Sequence, residues 1–436
     1  MRARLVLCTA VLALALAPAA TQAARLQTWT TPSRFVDLTK VKFNSLPAGS
    51  PLKLNVLLPD GYDGRRRFPV LYLLHGHGDN YASWARSDRG DVLDIAKGMP
   101  AIIVMPEGAT GWYTNWWDAG ARGADGRAWE NYYLDELIPF VENHLRIVAG
   151  RSNHAIAGLS MGGEGATYLA EQLPGYFGSV ATFSGAISIQ RAEWPQGFDT
   201  QGESHADVYG DPSAQQFYWR GHNPTALTEN LAHSRVFVAV GDGTPDPTSP
   251  SQVSNYFGAV AETELHQHAN DFVASAQAAG ADVTYRPQQG IHDWPYWRQH
   301  LQQALAWGLF KPVSPAPASW RYETVARSGR AWDLRFTFSA PPETTIVLQR
   351  DGQTLRATGS GRVTIVPDGA AAFTATLPFT RAIAAARSPR TPPRRRPAAA
   401  CPRGRGHRGA PARSRRTRVS KRHCRRRPAQ TRRHKR

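Results

Sequence analysis

The chain has 436 residues and a formal net charge of +18, from 52 Lys+Arg against 34 Asp+Glu. Of the 52 basic residues, 21 fall between Arg387 and Arg436, a segment without Asp or Glu, so residues 1–386 hold 31 basic and 34 acidic side chains. The charge balance therefore gives no ground for nucleic-acid binding by the body of the protein, and the 42% hydrophobic content, with 13 Trp, is enough for a large core.

Met1–Ala23 carries Arg2 and Arg4, an apolar run from Leu5 to Leu16, and small residues ending Thr21-Gln22-Ala23. Basic start, apolar centre and A-x-A-like end predict a secretory signal peptide over residues 1–23 and an exported protein. The three cysteines are Cys8, Cys401 and Cys424, so the sequence between leader and tail has none to form a disulfide or a cysteine zinc site.

From residue 24 to 310 short apolar runs alternate with amphipathic stretches. Strands are expected at Leu52–Leu58, Val70–Leu74, Ala101–Val104, His154–Ala157, Val180–Phe183, Val236–Val240 and from Val283. Helices are expected at Trp129–Leu145, Gly163–Leu173 and Ala259–Ala279. Near-continuous apolar strands suit a sheet covered on both faces, so the fold class is α/β, a doubly wound sheet with helices on both sides. Such sheets place their sites at the carboxyl ends of the strands.

A Pro-rich linker, residues 311–319, precedes period-two patterning at Trp320–Val325, Trp332–Phe338, Thr344–Arg350, Gln353–Thr358, Arg362–Val366 and Ala372–Leu377. Residues 320–380 thus read as a small C-terminal all-β module, short for a β-sandwich, which either binds wall carbohydrate or docks on the body. Residues 387–436, rich in Arg, Pro, Ala and Gly, read as a disordered basic tail able to contact anionic polymers. A shifted reading frame in a GC-rich gene would give the same composition.

The chemistry concentrates in Gly158-Leu-Ser160-Met-Gly162, which follows one predicted strand and opens a predicted helix. In that context G-x-S-x-G forms a sharp turn that presents the serine, and the N–H of the next residue, Met161, can face a developing oxyanion. The loop His75-Gly76-His77-Gly78 after Val70–Leu74 supplies the second donor, assigned to the backbone N–H of His77, with the two imidazoles read as packing groups. His292, in a late loop beside Trp294 and Trp297, is the expected general base. The acid must lie between positions 160 and 292; Asp242, Asp246, Glu262 and Glu264 all qualify by spacing. His266 and His268 read as surface residues on a helix.

With these residues in place the chain resembles the esterase D family of α/β-hydrolases, which includes S-formylglutathione hydrolases, feruloyl-type esterases and the secreted antigen 85 mycolyltransferases. The resemblance runs from about Pro51 to Leu309. It rests on Leu71-Tyr-Leu-Leu-His-Gly76, Trp112-Tyr-Thr-Asn-Trp-Trp117, Gly158-Leu-Ser-Met-Gly-Gly163, Gly241-Asp-Gly-Thr-Pro245 and His292-Asp-Trp-Pro-Tyr-Trp297. In the mycolyltransferase branch the acid is a helical Glu after the Gly-x-Gly-Thr-Pro loop, which implies Glu262 here, with Glu264 second. That branch has Asp and a basic residue where this sequence has His75 and Gly78, which puts trehalose recognition in doubt.

The expected activity is a secreted serine carboxylesterase with Ser160, Glu262 and His292 as triad, needing no cofactor or metal. Trp116, Trp117 and Trp294 are the expected substrate-binding residues, with Trp297 beside them, stacking on a sugar or aryl group. Two alternatives are an acyltransferase acting on cell-envelope glycolipids or glycans, and a non-catalytic envelope-binding protein on the same fold. A complete triad argues against the last.

Overall fold

The structure is a computed structural model that describes residues 23–40, 51–117 and 126–383; the signal-peptide core, both tail cysteines and the basic tail lie outside the described residues. Eight strands form the central sheet: β1 (Arg25–Thr31), β2 (Leu52–Leu58), β3 (Val70–Leu74), β4 (Ile102–Pro106), β5 (His154–Leu159), β6 (Ser179–Phe183), β7 (Arg235–Gly241) and β8 (Asp282–Gln288). Their order is β1-β2-β4-β3-β5-β6-β7-β8. β2 runs antiparallel to both neighbours, and β3 to β8 are parallel.

Every residue of β3, β4, β5, β6 and β7 is buried, because helices cover both faces and no side of these strands meets water. Two apolar layers result. One packs Val70, Tyr72, Ile156 and Val238 against the helices Met161–Gln172 and Tyr256–Ala278. The other packs Leu71, Leu73, Ala157 and Phe237 against the helix Trp294–Trp307. β1 was not anticipated: Arg25-Leu-Gln-Thr-Trp-Thr-Thr31 is a half-exposed edge strand, held by antiparallel pairing with β2. The helix expected over Trp129–Leu145 is present as Trp129–Asn131, a π-wound stretch Tyr132–Leu137, and Ile138–His144.

The C-terminal strands form two four-stranded antiparallel sheets. One has the order β10 (Ser328–Ala331), β11 (Leu334–Phe338), β14 (Arg362–Pro367), β15 (Phe373–Thr376). The other has β16 (Phe379–Ala382), β13 (Thr354–Thr358), β12 (Ile346–Asp351), β9 (Ser319–Thr324). Leu334, Phe336, Val363 and Ile365 of the first share a core with Tyr322, Leu348 and Leu355 of the second. β10 and β16 are additions to the sequence reading, which took this region as short of strands. The expected strand from Trp332 begins instead at Leu334, because Trp332 adopts a positive φ of 55° and breaks the run.

This sandwich is docked on the body. The buried Arg151 guanidinium donates to the carbonyls of Pro174, Phe177 and His233, to Ser234 Oγ, and to the linker carbonyl of Ser314. The same cation lies 4.8 Å from the centre of the Trp332 ring. Arg220 pairs with Glu323, and Tyr322 donates to the Gln172 carbonyl. Among the described residues no helix is long and apolar enough to cross a membrane.

Candidate active site

The parallel strands end level with one another: Leu74 pairs with Gly158, Leu159 with Phe183, Phe183 with Ala239, and Gly241 with Gln288. The loops that follow them therefore crowd one edge of the sheet. Ser160, directly after β5, has φ 52° and ψ −123°, a conformation that L-residues rarely adopt. It is held by its N–H to the Phe183 carbonyl at 2.9 Å, while its own carbonyl accepts from Gly163 N–H at 2.8 Å. The flanking glycines are steric necessities. A Cβ on Gly158 would sit 2.0 Å from the Gly162 carbonyl oxygen, and one on Gly162 would sit 2.4 Å from that of His75.

His292 reaches this serine from beyond β8, its backbone N–H anchored on the Gly258 carbonyl at 2.9 Å. Its Nε2 lies 2.9 Å from Ser160 Oγ, and its Nδ1 lies 2.8 Å from Glu262 Oε2. The Trp297 ring stands edge-on to the imidazole, with centroids 4.8 Å apart. Glu262 is fully buried, and its other oxygen accepts from Ser184 Oγ and from Gly241 N–H, both at 2.6 Å. Burial pushes its pKa up, but the His292 hydrogen bond and charge, with the two further donors, hold the carboxyl below its ordinary value.

The other three acid candidates are elsewhere. Asp242 and Asp246 accept backbone N–H bonds within their own loops, at Thr244 and Thr248. Glu264, two residues along the same helix, faces another direction and lines the cleft, where burial raises its pKa. Neither helical histidine is the surface group expected: His268 is fully buried, accepts from Ser188 N–H, and is pushed down to about 3 by burial, while His266 bonds the Gly241 carbonyl.

Met161 opens its helix, so its N–H has no carbonyl four residues back to bond. The loop of His77 is fixed by its neighbour: His75 Nδ1 donates to the Gly76 carbonyl, its Nε2 accepts from Gly108 N–H, and its carbonyl accepts from Tyr113 OH. This is the packing role expected of His75. The imidazole of His77 lies 2.7 Å from buried Glu203 and tilts against Trp112.

Ser160 and His292 open on a cleft of about 450 Å³, walled by Trp112, Trp194, Trp297, Leu159, Phe257 and Val260, with His77, Gln201 and Glu264 as polar lining. The aromatic assignment needs correction. Trp116 is core, its Nε1 donating to the Gly111 carbonyl, and Trp117 packs on Phe217 and Tyr218. Trp294 stacks edge-on between Trp84 and Trp297, outside the cleft lining. Trp112 and Tyr113, both with φ 54°, turn the chain so that Trp112 rather than Trp116 faces the cleft. Trp112 belongs to the same quoted motif, whereas nothing local in sequence marked Trp194. No group of three or more His, Cys, Asp or Glu among the described residues is arranged to hold a metal ion.

Comparison with known proteins gives the family and the fold. A family model described as "Putative esterase" matches residues 45–308. Esterase Rv1288 of Mycobacterium tuberculosis is 32% identical over 250 residues, covering 55% of this chain and 52% of that protein. A diacylglycerol acyltransferase/mycolyltransferase Ag85C of Mycobacterium avium is 26% identical over 244 residues, covering 53% and 67%. Among solved structures, Mycobacterium tuberculosis MPT51 (FbpC1) superposes with a TM-score of 0.51 at 21% identity, over 66% of this chain and all of that one, a likeness of fold. The chain spans about half the length of the first curated relatives it matches. With well over half of its sequence inside the family match, the chain belongs to this esterase family, and its central sheet is an α/β-hydrolase fold.

Proposed function

We propose that the protein is an exported serine carboxylesterase that works through an acyl-enzyme on Ser160. The observation that carries this reading is the unbroken hydrogen-bonded line from Ser160 Oγ through the His292 ring to the charged Glu262 carboxylate. In the proposed reaction Nε2 of His292 takes the Ser160 proton as Oγ attacks the ester carbonyl, and Glu262 stabilises the imidazolium and fixes its orientation. The N–H groups of Met161 and His77 receive the oxyanion, the alcohol leaves with the proton from His292, and water deacylates the enzyme by the same route. The leader motif supports export.

The mycolyltransferase relatives support a second reading, transfer of the acyl group to a sugar hydroxyl of an envelope glycolipid or glycan. Labelling of the purified protein by a fluorophosphonate probe, abolished by Ser160→Ala, is expected under both readings. Labelling that survives this substitution would overturn them. Short-acyl, long-acyl and feruloyl esters, assayed with and without an added sugar acceptor, then separate hydrolysis from transfer: faster acyl transfer than hydrolysis would favour the second.

A further inference from the structure

The entrance to the cleft carries an apolar patch that the chemistry above does not use. Among the described residues, six large hydrophobic side chains are exposed, and four of them lie within Val253–Val260: Val253 at 56%, Tyr256 at 80%, Phe257 at 68% and Val260 at 49%. They lie on the short helix Pro250–Val253 and on the first two turns of Tyr256–Ala278, the helix that also holds Glu262. Scattered exposed apolar residues are ordinary on a soluble protein, but four within eight residues form a surface that water solvates poorly.

Two features of the patch identify its occupant. Phe257 and Val260 also line the cleft, so the patch is continuous with the path to Ser160. Val253 and Tyr256 do not line the cleft, so an ester held inside it leaves them exposed. An apolar phase pressed against the cleft mouth meets Phe257 and Val260 there, and the exposed Val253 and Tyr256 adjoin them in the chain. The segment Gly241–Val260 contains no Lys or Arg and has two Asp, so nothing in it selects an anionic surface.

We propose that Val253, Tyr256, Phe257 and Val260 dock the protein on an uncharged or zwitterionic lipid surface and that the esters it cleaves enter the cleft directly from that surface. Binding by these side chains is the interfacial mode, in which apolar residues enter the headgroup–acyl boundary. This rests on the esterase reading for the cleaved substrate, but the docking itself does not need a reactive serine.

The test uses full-length protein carrying Ser160→Ala and phosphatidylcholine vesicles, whose zwitterionic surface gives the basic C-terminal segment no net charge to bind. The inference expects co-sedimentation with the vesicles, weakened at least about tenfold by Val253→Ser with Tyr256→Ser. In the Ser160 protein the same pair of substitutions should leave hydrolysis of a short, water-soluble ester unchanged. It should also remove the rise in rate that the proposal expects when a longer ester passes its solubility limit. Equal vesicle binding with and without the two substitutions would overturn the docking proposal. So would concentration-dependent self-association that they abolish without any vesicle binding, since the patch would then cover a second copy. Loss of short-ester hydrolysis in the Ser160 protein itself would strike the esterase reading and leave the vesicle result standing.

Discussion

Two regions of this molecule bury carboxyl groups, and they do so to opposite effect. At the carboxyl edge of the sheet Glu262 is fully enclosed yet held below its ordinary pKa, because His292, Ser184 and Gly241 all donate to it. Beneath the β-sandwich, Glu171 on the helix Met161–Gln172 is equally enclosed, and neither of its oxygens has a hydrogen-bond partner among the described residues. Burial alone then raises its pKa well above the ordinary value. Depth is the same in both places; the donors decide which carboxyl is an anion. Three donors hold the first glutamate as an anion, and none does so for the second.

Removing the charge where the donors converge has the largest expected effect. Glu262→Gln keeps the size but replaces an acceptor facing His292 with a group whose amide can only mis-pair the ring or leave it neutral. A fall in kcat/KM on a soluble ester of about a thousandfold or more is expected, with KM little changed. A variant within tenfold of the parent would mean that the carboxylate is ornamental and that this edge of the sheet differs little from the surroundings of Glu171.

The next largest effect lies in the backbone of the same edge. Gly162→Ala puts a Cβ within 2.4 Å of the His75 carbonyl oxygen and 2.7 Å of that of Leu74, main-chain atoms at the end of β3 that cannot swing aside. A loss of about 3 kcal/mol or more in urea unfolding is expected, from overpacking at a fixed turn. An alanine variant of ordinary stability would show that the elbow is looser than its geometry implies.

This backbone constraint explains what the sequence could reveal. Gly158 is dictated by a main-chain contact four residues away, with the Gly162 carbonyl, and Gly162 by the main chain at the end of β3, so the motif and the position of Ser160 were legible, as were β3 and β5, whose two buried faces demand unbroken apolar runs. His292 was legible from its place after the last strand. Glu262 was not legible by spacing alone, because four acids lie in the permitted interval and only helix phase separates Glu262 from Glu264; the family resemblance supplied the choice. The cleft aromatics failed for a different reason. Trp112, Trp116 and Trp117 share one loop, and the positive φ of Trp112 and Tyr113 decides which indole faces the cleft, a torsion with no composition signature. Polar edge strands such as Arg25–Thr31 and Ser328–Ala331 owe their structure to a neighbour and were invisible for that reason.

At Glu171 the same substitution type should act in the opposite sense. Burial favours the protonated form of Glu171 in the folded chain over that in the unfolded chain, so ionisation favours unfolding. Glu171→Gln removes that penalty and should raise stability at pH 8 relative to the parent, with the difference shrinking toward pH 4. Urea midpoints of the two proteins at the two pH values are the measurement. A glutamine variant less stable at pH 8 would mean that an unseen donor keeps this carboxylate charged, and the contrast with Glu262 would collapse.

Glu130 stands between the two extremes, and its effect is confined to a narrow pH window. It lines a groove of about 500 Å³ between the body and the sandwich, beside Gln172, Trp332 and Arg335. Tyr168 OH and the Asn115 amide donate to one of its oxygens, but burial outweighs them and pushes its pKa up to about 7. Because this folded value lies above the ordinary value of 4.5, the folded protein retains a proton that the unfolded chain gives up between those two pH values. Stability contributed by this group is therefore fully present below pH 4.5, declines as pH rises, and levels off above pH 7. The slope is at most about 1.4 kcal/mol per pH unit, and Glu130→Gln should flatten the parent's stability–pH curve over that window alone. The Gln variant keeps an acceptor for Tyr168, so the difference between the two curves isolates the charge. An unchanged slope would mean that the two donors already hold the carboxylate as Glu262 is held, and would place Glu130 with Glu262 rather than with Glu171.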